Sequence, residues 1–84
     1  MAKDVDVVSQ RREIVSQLTR ARMEKGLSQA QLAELVGTQR SNVSRIENGG
    51  QNLSLDTLIR IANALGKEVR LLLTNCRECD APSE

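Results

Sequence analysis

The sequence predicts an all-α domain of four to five short helices, with a short strand after the last. Three observations carry this. Apolar residues recur at helical spacing in four successive segments. Each segment stops at glycine: Gly26, Gly37, Gly49-Gly50 and Gly66. The 84 residues contain no aromatic side chain, so the core is built from Leu, Ile, Val, Ala and Met alone, and the length suits one domain with one modest core.

The chain is expected to divide into a flexible N-terminal segment (1–8), a helical domain (9–66), a C-terminal dimerisation segment (67–75) and a polar tail (76–84). The first helix is expected over Ser9–Lys25, where Ile14, Leu18, Ala21 and Arg22 fall on one face. Lys25 in its last turn and Gly26 beyond it end the helix. Ser28 is the natural N-cap of the second. Gln31, three residues on, can return a bond to the Ser28 N–H, and Leu27 can staple onto Leu32. This helix runs to Val36, with Leu32, Ala33, Leu35 and Val36 as its apolar side, and stops at Gly37.

Thr38 is then expected to cap a third helix, Gln39 to Glu47, closed by Asn48-Gly49-Gly50. Leu53-Ser54 with Leu58 repeats the staple and cap before a fourth helix, Leu55–Leu65, whose inner face holds Leu58, Ile61, Ala62 and Leu65. Lys67–Asn75 alternates: Val69, Leu71 and Leu73 share one side as a strand, Arg70, Leu72 and Thr74 the other. Read as a helix, it would cluster Val69, Leu72 and Leu73; the strand is preferred because the segment is short and bounded by Gly66 and Asn75.

Composition excludes several function classes. No stretch has the length of a membrane span or of a signal-peptide core, so a cytoplasmic protein is expected, with reduced cysteines. Enzymatic chemistry has little to stand on: the chain has no histidine, no glycine-rich phosphate loop and no paired carboxylates placed for acid–base work. Neither a cofactor nor a resident metal is expected. Cys76-x-x-Cys79 supplies only two of the four ligands of a structural zinc site and reads as a tail with free thiols, the alternatives being a zinc site completed in a dimer or a redox switch. Formal net charge is only +1, but its distribution is uneven. From Gln10 to Arg45, Arg11, Arg12, Arg20, Arg22, Lys25, Arg40 and Arg45 face only Glu13, Glu24 and Glu34.

The third helix carries two of those cations, Arg40 and Arg45, on a side of its own. Its link to the second is so short that the two must cross steeply, with Val36, Val43 and Ile46 meeting in one core and Ala33 allowing close approach. Its other side carries Gln39, Arg40, Ser41, Asn42, Ser44 and Arg45, with no acid between Thr38 and Ile46. Arginine forks onto guanine O6 and N7, and glutamine or asparagine onto adenine N6 and N7. Such a side fits the major groove of duplex DNA.

The stretch LSQAQLAELVGTQRSNVSRIENG (27–49) resembles the helix-turn-helix of the lambda-repressor and Cro, or Xre-like, family. The likeness extends from about residue 10 through SLDTLIRIANALG to residue 66. The ordered set of the Ser28-Gln29 start, Ala33, Gly37, Val43, Ile46 and Glu47-Asn48-Gly49 makes it specific. One departure is the lack of a proline before the fourth helix, where Leu53 stands. The resemblance implies a lambda-repressor-like fold of five helices, or four with a dimerising strand, and a homodimeric repressor on a double-stranded DNA operator. It implies base or adjacent phosphate contacts from Gln39, Arg40, Ser41, Ser44 and Arg45. It further implies phosphate contacts from Gln29, Asn48, Gln51 and Asn52, with Gln29 also bracing the third helix. Val69, Leu71, Leu72 and Leu73 are the expected dimer interface. A cognate toxin is the alternative partner, because some antitoxins of this fold dimerise through a C-terminal strand resembling ALGKEVRLLLTN.

Arg22 and Glu47 stand apart. Each lies near an apolar face, where a lone charge is costly. Together they can form an ion pair, as the resemblance also implies, that positions the third helix rather than touching DNA.

Overall fold

The computed structural model describes residues 4–50 and 53–75. These contain four helices: α1 (Asp4–Glu24), α2 (Gln29–Val36), α3 (Arg40–Glu47) and α4 (Leu55–Ala64). α2 packs on both α3 and α4, and α1 lies against α3. The shared core contains Leu18, Leu32, Ala33, Val43, Ile46, Ile61, Ala62 and Leu65. Fully burying a Leu or Ile such as Leu32 or Ile61 contributes about 1.5–3 kcal/mol relative to exposure.

Local signals set most boundaries. Ser28 Oγ accepts the Gln31 N–H at 3.0 Å, and Gln31 Oε1 accepts the Ser28 N–H at 2.8 Å, a complete capping box. Ser54 Oγ accepts the Thr57 N–H at 3.1 Å at the head of α4. Gly37 ends α2 in the left-handed region, φ +86°, and its N–H reaches the Ala33 carbonyl at 2.9 Å. A side chain there would be strained, and the reversal is what throws α3 across α2.

Several expectations are corrected. The helix expected from Ser9 begins at Asp4, so much of the 1–8 segment belongs to α1. On α1 Val15 and Leu18 are buried, whereas Ile14 is 45% exposed. The inward stripe is Arg11, Val15, Leu18 and Arg22, at i, i+4, i+7 and i+11. Leu35 likewise faces out from α2. Thr38 does not cap α3: Gln39 occupies the cap position without a side-chain bond, and Thr38 Oγ1 instead accepts from Asn42 Nδ2 at 3.0 Å.

The strand expected within 67–75 is absent among the described residues. Val69 packs against the core, but Leu71, Leu72 and Leu73 are 74%, 81% and 86% exposed. The physical reason is that a strand needs a partner edge for its N–H and C=O groups, and the described residues, helical elsewhere, offer none. Gln51, Asn52, Cys76 and Cys79 lie outside the described residues.

Candidate nucleic-acid interface

α3 is held by one side and open on the other. Val43 and Ile46 are buried against α2. Gln39, Arg40, Ser41 and Arg45 are exposed, and Asn42 and Ser44 are partly so. Two guanidinium groups, two amides and two serine hydroxyls therefore stand on a surface free of carboxylates from Thr38 to Ile46. Its donors and acceptors suit base edges and phosphate oxygens. Asn48 is exposed one residue beyond the helix, its backbone N–H closing the last turn onto the Ser44 and Arg45 carbonyls.

A three-part clamp fixes the angle of this helix. Arg22, near the end of α1, donates from Nε to Glu47 Oε2 at 2.7 Å and from Nη2 to Glu47 Oε1 at 3.1 Å. Its Nη1 donates to the Leu27 carbonyl at 2.7 Å. Gln29, the first residue of α2, donates from Nε2 to Glu47 Oε1 at 3.0 Å. One carboxylate at the foot of α3 thus ties together the end of α1, the start of α2 and α3 itself. The Gln29 amide spends one N–H on Glu47 and has a second to offer.

Sequence reasoning missed Arg11. Its Nε donates to the Gly49 carbonyl at 2.9 Å, pinning the turn after α3 to α1. Beside it, Gly50 has φ +71°, and a Cβ placed there would stand 2.5 Å from Val15 Cγ2 and 3.3 Å from Arg11 Cγ. The α1 stripe 11–15–18–22 carried the signal, hidden because Ile14 looked the better core residue.

Comparison with known proteins agrees with this geometry. The sequence model of the helix-turn-helix family matches residues 18–72, more than half of the chain. This chain belongs to the Xre and Cro/C1-like helix-turn-helix family, a family of DNA-binding transcriptional regulators. Among its relatives is the control protein C.SmaI of Serratia marcescens, 41% identical over 64 residues, covering 75% of this chain and 76% of that protein. An uncharacterized HTH-type transcriptional regulator of Haemophilus influenzae is 34% identical over 59 residues, 70% of this chain. The match spans only 60% of that regulator's own length. A solved toxin–antitoxin module from Streptococcus pneumoniae superposes with a TM-score of 0.67 at 33% identity, covering 89% of this chain and 84% of its own. Among the described residues, no helix of this family member is long and apolar enough to cross a membrane.

Proposed function

We propose that the chain is a sequence-specific, dimeric repressor that reads an inverted-repeat operator with α3 in the major groove. One observation carries the reading: the exposed Gln39, Arg40, Ser41 and Arg45 lie on a helix whose opposite side is buried and whose foot is clamped by Glu47. Base contacts come from Gln39, Arg40, Ser41, Ser44 and Arg45. Phosphate contacts come from Gln29, Asn48, Gln51 and Asn52. The function is binding rather than catalysis, and it is exercised in the cytoplasm.

The second copy is proposed to dock on Val69 and Leu71–Leu73. Three consecutive exposed leucines support this, because a strand left without a partner among the described residues is completed antiparallel by its twin. The two α3 helices then sit ~34 Å apart, one turn of duplex, or a multiple of that. A second reading, an antitoxin that also represses its own operon, is favoured by the likeness to the toxin–antitoxin module.

Selection of bound duplexes from a random pool, followed by a salt series on the winner, tests the main reading. Enrichment of an inverted repeat with half-sites ~10 base pairs apart is expected. A pool that never enriches, with no salt-dependent binding, would remove it. Co-purification with the product of a neighbouring gene would favour the antitoxin.

A further inference from the structure

Beside the recognition helix lies a second surface that no base contact uses. One stripe of α1, Arg12, Ser16, Thr19 and Met23 with Arg20 alongside, runs at i, i+4, i+7, i+8 and i+11. It faces the foot of α3 at Glu47, Asn48 and Gly49 across an open groove of about 780 Å³ floored by Val15. We propose that this groove seats the sugar–phosphate backbone of the DNA strand flanking the major groove read by α3. The proposal rests on the operator-binding reading above.

The chemistry is that of a phosphate track. Arg12 and Arg20 are exposed, two helical turns apart, or about 12 Å along the axis. Thr19 has a hydroxyl on the same stripe, and Asn48 faces it as an exposed amide continuous with α3. Ser16 is not counted as a donor, because its hydroxyl already donates to the Glu13 carbonyl at 2.7 Å. Two carboxylates border the groove. Glu47 is neutralised by the two hydrogen bonds from Arg22. Glu24, exposed at the far end beside Met23, marks where the track stops. The groove is a built feature: the Arg11 bond to the Gly49 carbonyl and the close packing of Gly50 on Val15 hold its two walls together. Continuity with Asn48 and α3 is what favours DNA over an acidic protein segment as the occupant.

The test uses the full chain and a duplex selected from a random pool. Equilibrium binding is measured over a salt series for the wild type, for Arg12→Ala/Arg20→Ala, and for Arg60→Ala. The last removes an exposed charge on α4, outside the groove. Each lost phosphate contact should lower the slope of log K against log salt by ~1. The double variant is therefore expected to lose ~2 from the slope, to weaken uniformly across duplex sequences, and to keep its base preference. Arg60→Ala should retain the wild-type slope, and Glu24→Gln should bind more tightly. Melting curves of all variants should overlay, since every side chain changed is exposed. A double variant with the wild-type slope, including one that instead loses a protein partner, would overturn the proposal. So would an equal loss of slope in Arg60→Ala, which would indicate bulk charge. Both results leave the α3 reading standing; a wild type that binds no duplex at any salt removes that reading and the groove together.

Discussion

Arg22 and Glu47, from α1 and α3, meet through two parallel hydrogen bonds of 2.7 and 3.1 Å. Their side chains retain only 13% and 9% exposure. A guanidinium matches a carboxylate in this forked geometry, so the contact fixes direction as well as distance. Neither group has a buried polar atom without a partner: the Leu27 carbonyl accepts from Arg22 Nη1, and the Gln29 amide donates to Glu47 Oε1. The pair therefore acts as a joint between α1 and α3.

Breaking that joint from one side leaves the other charge stranded. Arg22→Ala or Glu47→Ala is expected to destabilise the fold by about 3 kcal/mol, the low end for a buried pair because some solvent reaches it. The double variant should cost clearly less than the sum of the two. Denaturant titrations of the four proteins give the coupling, and a coupling near zero would show that the pair does not stabilise the fold.

Arg40→Ala and Arg45→Ala should behave in the opposite manner. Both side chains are exposed, so melting temperature and helical content should hardly change. Operator affinity should fall by ~1–3 kcal/mol for whichever residue forks onto a guanine, with relaxed preference at one base position. Unchanged affinity in both would take the recognition role away from α3.

Gly50→Ala probes the turn beyond α3. The backbone there has φ +71°, and the new methyl would collide with Val15. Strain and overpacking together should cost roughly 2–4 kcal/mol. Gly49→Ala, where nothing lies within 4 Å of the added carbon, should cost far less. Thermal melts of the two compare the sites directly, and equal losses would mean that the close packing of Gly50 is unimportant.

Truncation after Arg70 retains Val69, which packs on the core, and removes the exposed Leu71–Leu73. The truncated chain should remain folded but sediment as a monomer, or as a much weaker dimer, with reduced operator affinity. A tight dimer after truncation would move the interface elsewhere, with the exposed Leu55 and Ile59 of α4 the next surface to test.

What the sequence determined by itself is local. The capping box at Ser28 and Gln31, the Ser54 cap and the stop at Gly37 are encoded within a few residues, so helices α2 and α4 were legible from spacing alone. The polar outer side of α3 was legible too, because Val43 and Ile46 leave only one face to bury. Tertiary structure decided the rest. Whether Ile14 or Val15 faces inward depends on the angle at which α1 meets the turn after α3, and no property of α1 alone sets that angle. The bond from Arg11 to the Gly49 carbonyl joins residues 38 apart in the chain, and in the sequence only the spacing of Arg11 with Val15, Leu18 and Arg22 points to it, without naming its partner. Residues 67–75 show the limit most plainly. Alternation gave them strand character, but a strand is completed by hydrogen bonds to a neighbour, and among the described residues no second strand stands beside Leu71–Leu73.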